Sequence, residues 1–227
     1  PFQNKAMINV HDGEMRIVGG RYPDAVAAFT DAAVEYSLAP FDTPYRHEGA
    51  KTLAYELAVA LDGAPDAVVH PTAHGTGLVG IEKGFAELAR TGTVEDVPRL
   101  YAAQPAGCAP IVEGHEEGHI EPVEYPDTIC GSLEVPDPAG GAYALDALDS
   151  TDGDAVATPD EVLLDAALDV TRAGVPASAT GGVAVSGARA LAEEGAFDGA
   201  ETVVLVNPAT ANREADLLRS RLMSEGV

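Results

Sequence analysis

Two kinds of apolar pattern alternate along the chain. Ala67-Val68-Val69, Arg99 to Gln104, Ala155-Val156-Ala157 and Thr202 to Val206 are short runs that read as strands. Between them lie segments with helical spacing, from Gly77 to Arg90, from Thr158 to Arg172, from Ser178 to Glu194 and from Glu214 to Met223. Thr158-Pro159-Asp160-Glu161 has the form of a capping box with proline at the first helical position. Upstream, Met7-Ile8-Asn9-Val10 and Arg16-Ile17-Val18 read as strands, the second ending at Gly19-Gly20. A helix is expected from Pro23, with apolar positions Ala25, Ala28, Phe29, Ala32 and Ala33. Leu38 to Thr43 is a proline-broken loop. Pro44 to Thr52 leads into a helix through Leu61, stopped by Gly63 and Pro65. The stretch from Gly114 to Gly141, rich in Gly, Pro and acid, reads as mostly irregular. Strands alternating with helices imply parallel βαβ units in an open α/β sheet, with ligands at the carboxyl ends of the strands.

Composition narrows the class. The 227 residues are 46% hydrophobic and 22% charged, which is globular and long enough for a sizeable core. Thirteen basic residues stand against 37 acidic ones, a net charge of -24, and the only lysines are Lys5, Lys51 and Lys83. Such a balance repels nucleic acid and anionic membranes, so neither is an expected partner. Acid spread along the whole chain with few lysines is also the pattern of a cytoplasmic protein from a halophile, where salt screens the self-repulsion. An ordinary acidic enzyme is the alternative. Cys108 and Cys130 are too few for a disulfide scaffold and read as reduced thiols. No apolar run is long enough to span a bilayer. The chain opens at Pro1 and runs straight into structured sequence, as a piece of something longer would.

The chemistry centres on Asp66 to Gly80. An apolar run passes through His70-Pro71-Thr72-Ala73-His74-Gly75-Thr76-Gly77 into a helix. Glycines let backbone N–H groups converge, and the helix dipole adds partial positive charge where a phosphate would sit. Gly75 to Gly80 formally matches GxGxxG, the dinucleotide fingerprint, but the next strand ends in Gln104 rather than the acid that would hold a ribose. A purely structural glycine turn is the bland reading. His115-Glu116-Glu117-Gly118-His119 matches the helical zinc motif HExxH. Gly114, Gly118 and Pro122 crowd it, so a solvated acidic loop is the competing reading and no metal is expected.

Four segments together resemble one family. Pro44-Tyr45-Arg46-His47-Glu48-Gly49-Ala50-Lys51-Thr52 is similar to the "NPyRiEGqKT" run of threonine synthases. Ala73-His74-Gly75-Thr76-Gly77 stands where they carry a "GNxGN"-like loop. Gln104-Pro105-Ala106-Gly107-Cys108-Ala109-Pro110-Ile111 is similar to their "Q-x-x-G-C-A-P-I" segment, and Pro176-Ala177-Ser178-Ala179 to their "P-S-S-A" helix start. The resemblance implies fold type II, a tryptophan synthase β-like three-layer α/β domain on an open, mostly parallel sheet. Residues 43–227 would be this large cofactor-binding domain and residues 1–42 the tail of a smaller mobile one. The implied cofactor is pyridoxal 5'-phosphate, its phosphate held by backbone N–H groups of Ala73, His74, Gly75, Thr76 and Gly77.

The departures are specific. Ala73-His74 replaces Gly-Asn. Asn207, with Thr210 as a second candidate, stands where the family places the threonine that meets the pyridine nitrogen. Nothing matches the "SFKDR"-type segment of the Schiff-base lysine, so no catalytic residue is assigned. Either the chain is a fragment lacking that part, or it is a lysine-less, non-catalytic binding domain. The implied activity is that of threonine synthase, O-phosphohomoserine to threonine plus phosphate, with threonine or serine dehydration as the related alternative. A small-molecule amino-acid substrate is implied, and a homodimer for the full-length form. The chain alone is expected to bind the cofactor weakly and to be inactive.

Overall fold

The computed structural model describes residues 2–32, 41, 43–224 and 226. It separates into two compact units, Pro1–Ser37 and Leu38–Val227. Most of the expected loop over Leu38 to Thr43, and Ala33 of the first expected apolar stripe, lie outside the described residues.

The first unit holds two helices, α1 (Phe2–Val10) and α2 (Tyr22–Asp31). The strand expected at Met7 to Val10 is the last part of α1, and Arg16 to Val18 is not a strand. A strand needs a partner to take its backbone hydrogen bonds, whereas a helix takes them locally. Among the described residues this unit has no strand, and Met7, Ile8 and Val10 stay exposed. Helix α2 begins where expected. Pro23 sits in its first turn, and the Asp24 carboxylate accepts from the Arg21 backbone N–H at 2.7 Å.

The second unit is built on strands β1 (Ala67–Pro71), β2 (Arg99–Pro105), β3 (Asp154–Thr158) and β4 (Val203–Leu205). All pairings are parallel, in the order β3-β2-β1-β4, with Val69 opposite both Tyr101 and Leu205. Helices cover both faces, giving three layers. Alternate residues of β1 enter different cores. Val68 joins the cluster with α3 (Pro44–Leu61), α4 (Thr76–Arg90), α5 (Pro110–Glu117) and α6 (Gly141–Ser150). Val69 joins the cluster with α7 (Asp160–Arg172), α8 (Ala179–Glu193) and α9 (Ala215–Ser224). That is why the strand reads as a continuous apolar run rather than an alternating one.

Helices α3, α4, α7, α8 and α9 lie within a few residues of expectation. Helix α6 was legible but unread: Ala144, Leu145, Ala147 and Leu148 form a helical stripe, and all four are buried. The expected capping box before α7 does not form. Pro159 is the N-cap, and the Thr158 hydroxyl pairs instead with Ser186 Oγ at 2.7 Å, because Thr158 still belongs to β3. Cys108 and Cys130 are both buried and free. Among the described residues no helix is long and apolar enough to cross a membrane.

Candidate functional site

The glycine-rich loop lies at the carboxyl end of β1 and opens α4. Gly75 is the N-cap, at φ 88°, a left-handed conformation that glycine adopts without steric cost. By the geometry of a helix, the first-turn N–H groups of α4 have no acceptor further back in the helix. Together with the dipole they give this end partial positive charge.

Buried polar contacts back this loop. Gln104, fully buried in β2, donates from Nε2 to the Thr72 carbonyl at 3.0 Å, while its Oε1 accepts from the N–H groups of Ile111 (2.9 Å) and Val112 (3.3 Å). The residue that fails as a ribose partner is thus a brace between the loop and the start of α5. Thr72 donates its one hydroxyl proton to the His70 carbonyl at 2.8 Å. The contact between Thr72 Oγ1 and His70 Nδ1, 3.2 Å, therefore has the imidazole as donor, which leaves Nε2 unprotonated. Burial pushes the His70 pKa down to about 4. That ring lies against Gly77, where an added Cβ would sit 2.3 Å from Nε2. On the other side, the His74 carbonyl accepts from the Gly140 N–H at 3.0 Å and His74 Nδ1 from the Ala139 N–H at 3.4 Å. A cavity of about 730 Å³ lies along α3, α4 and α6, but none of residues 73–77 lines it.

Ala73 packs against the same apolar cluster to which Ala179 of α8 belongs. Asn207 and Thr210 belong to the segment that follows β4. Main-chain and side-chain bonds join this segment to the helix start. The Ser178 N–H donates to the Ala209 carbonyl at 3.0 Å, and Asn207 Nδ2 donates to the Pro176 carbonyl at 3.1 Å. Asn207 Oδ1 lies over Gly181, where a Cβ would come within 2.2 Å. Asn207 and Thr210 are both exposed. One further group went unread in the sequence. Ser178 is the N-cap of α8 and fully buried, yet its hydroxyl caps nothing and has no hydrogen-bond partner. An enclosed, unpaired hydroxyl costs about 1–3 kcal/mol.

The described lysines of the second unit are committed elsewhere. Lys51, buried between α3 and α4, pairs with Glu48 and with Glu87 at 2.8 Å, and Tyr55 donates to the same Glu87 carboxylate at 2.8 Å. Hydrogen bonds to Glu48 and Glu87 push the Lys51 pKa up, so the amine stays protonated. Lys83 pairs with Glu48, whose pKa is held down to about 2 by hydrogen bonds from Lys51 and Lys83. The HExxH spacing does not place its ligands on one helix face. Helix α5 ends at Glu117 with Gly118 left-handed, so His119 lies beyond it. His115 instead faces Asp154 at 3.4 Å, and His119 faces Glu121 at 3.2 Å.

Comparison with known proteins gives these features a frame. Residues 1–209 match the family described as pyridoxal-phosphate dependent enzyme. The chain belongs to this family. Pyridoxal phosphate is the family's cofactor, and the fold is type II α/β. The threonine synthase of Methanosarcina acetivorans is 30% identical over 203 residues, 87% of this chain and 50% of its own length. That of Methanocaldococcus jannaschii is 31% identical over 208 residues, 88% of this chain and 51% of its own length. The chain thus spans about half the length of these curated relatives. Among solved structures, the processed form of threonine deaminase isoform 2 from Solanum lycopersicum superimposes with a TM-score of 0.80 at 21% identity, covering 100% of this chain and 60% of that one. The L-serine ammonia-lyase of Rhizomucor miehei gives 0.82 at 19%, covering 98% and 71%. At these identities the structures speak for the fold.

The residues present fit the cofactor. A glycine-opened helix end suits a phosphate ester, and an unpaired buried hydroxyl stands at the start of α8.

Proposed function

We propose that this chain supplies the cofactor half of an enzyme of the threonine synthase type, which converts O-phosphohomoserine to threonine and phosphate. The observation that carries the reading is the identity of about 30% to threonine synthases over 87% of the chain, with the loop of residues 73–77 opening α4 beside β1. In this reading backbone N–H groups of Ala73, His74, Gly75, Thr76 and Gly77 hold the phosphate ester, and Asn207 and Thr210 face the ring. Residues 43–227 form the large cofactor domain, and residues 1–42 are the tail of the smaller one. When bound, the cofactor supplies an electron sink for substrate carbanions.

The chain's own part is binding and orientation. Gln104 holds the Thr72 carbonyl just before the loop, which restrains the loop's main chain before any anion arrives. Neutral His70 adds no charge beneath them. Lys51 and Lys83 are both held in ion pairs with carboxylates, so this reading assigns the Schiff base to neither.

Steady-state assays of the full-length protein carrying this chain test the reading. Phosphate release from O-phosphohomoserine, dependent on added pyridoxal phosphate, is expected. Ammonia release from threonine or serine with no phosphate release from O-phosphohomoserine would overturn it in favour of dehydration.

A further inference from the structure

We propose that the cavity along α3, α4 and α6 is a second binding site, for a small organic ammonium ion with an apolar or aromatic body. The proposal does not depend on the reading of residues 73–77, none of which lines the cavity. At about 730 Å³ the cavity has the size of a small-molecule site. One wall is aromatic. Phe41 stacks on His47 with ring centroids 5.1 Å apart, and on Tyr143 at 5.2 Å. Phe41 is buried, whereas Tyr143 is 58% exposed, so ring surface is left for a ligand. The face of such a ring attracts a cation as well as an apolar group.

Charge selects the ligand. Glu82 and Asp146 line the cavity from α4 and α6, and among the described residues neither carboxylate has a hydrogen bond or an ion pair. Glu82 is half-buried, and burial pushes its pKa up against the pull of Lys83. A partly desolvated carboxylate without a partner is costly, and a cation in the cavity relieves that cost. The neighbouring ammonium is committed elsewhere, since Lys83 pairs with Glu48 and lies 3.1 Å from His47 Nδ1. An ammonium group can only donate, so Nδ1 accepts. Burial and the Lys83 charge lower the His47 pKa, which keeps that ring neutral. With Lys83 offset by Glu48, the charge left on the walls is that of the two carboxylates. A primary ammonium ion answers both features, with three donors for the carboxylates and a body for the rings.

The test is a titration of the 227-residue chain near neutral pH, followed by NMR chemical shifts. The probes are phenethylamine, 2-phenylethanol as the same body without charge, and 3-phenylpropionate as its anionic counterpart. Phenethylamine is expected to bind about 10-fold tighter than 2-phenylethanol, and 3-phenylpropionate not to bind. Glu82→Gln keeps the shape and removes the charge, so it should weaken phenethylamine about 10-fold and leave 2-phenylethanol unchanged. Asp146→Asn, at an exposed position, should cost about 3-fold, and it carries the test if Glu82→Gln does not fold. Tyr143→Ala should weaken the amine and the alcohol alike. Equal affinity for the amine and the alcohol would overturn the selection by charge. Phenethylamine binding that neither carboxylate variant weakens would reflect only the chain's net charge of -24 and overturn the site. Preference for 3-phenylpropionate, or no binding of phenethylamine, overturns the proposal outright.

Discussion

Helices α4 and α8 are both 15 residues long, and both start beside the segments that leave the carboxyl ends of strands, yet the two starts are built in opposite ways. The α4 end is backed by side chains: Gln104 braces Thr72, Thr72 fixes His70, and His70 fills the space against Gly77. The α8 end is held by the Ser178–Ala209 backbone bond and by an exposed asparagine, and its own buried hydroxyl is left over. A site that binds through main-chain N–H groups needs a rigid mount, because those groups adjust only by moving the helix. A site that binds through a side chain needs a free functional group and tolerates a looser frame. The rigid first end is the one the proposed reading assigns to a phosphate ester.

The contrast is broken most strongly at the brace. Gln104→Leu leaves the Thr72 carbonyl and the Ile111 and Val112 N–H groups without their partner, at an expected cost of about 2–5 kcal/mol. Urea denaturation measures it, and phosphate-dependent stabilisation should vanish in the same variant. A cost well under 1 kcal/mol would show that Gln104 does not brace the loop.

His70 sharpens the comparison through pH. Its folded pKa of about 4 lies below the ordinary imidazole value, so the unfolded chain binds the proton first as pH falls. The penalty fades out above about pH 6.5, grows between there and pH 4, and levels off below, reaching no more than about 3.5 kcal/mol. The stability difference between wild type and His70→Gln should therefore change across this window and be constant above it, as followed by denaturation at a series of pH values.

The smallest effects come from a matched pair. In Gly77→Ala the new Cβ meets the fixed imidazole, which should cost about 1–3 kcal/mol. In Gly181→Ala it meets the end of exposed Asn207, which can rotate away, and the gain in helix propensity offsets much of the strain, so about 1 kcal/mol or less is expected. Melting curves of the two variants would show the order. A reversed order would mean that the α8 end is the more rigid one.

Much of this was legible in the residues themselves. Apolar runs without a polar face marked the buried parallel strands, helical spacing marked the long helices, and Gly75 with Gly77 after a strand marked a glycine-opened helix start. Those signals are local, set by period, by φ preference and by the dipole of a helix start. The misreadings have local causes too. Met7 to Val10 carried β-branched residues without a partner strand, and HExxH carried ligands without a helix long enough to align them.

What the sequence by itself determined is therefore the alternation of strands and helices in the second unit and the family. The tertiary structure decided which polar groups are already satisfied. Only packing makes Gln104 a brace, commits Lys51 to Glu48 and Glu87, and encloses Ser178 Oγ with nothing to bond. Hydrogen-bond satisfaction depends on partners dozens of residues away, and no local period or propensity encodes it.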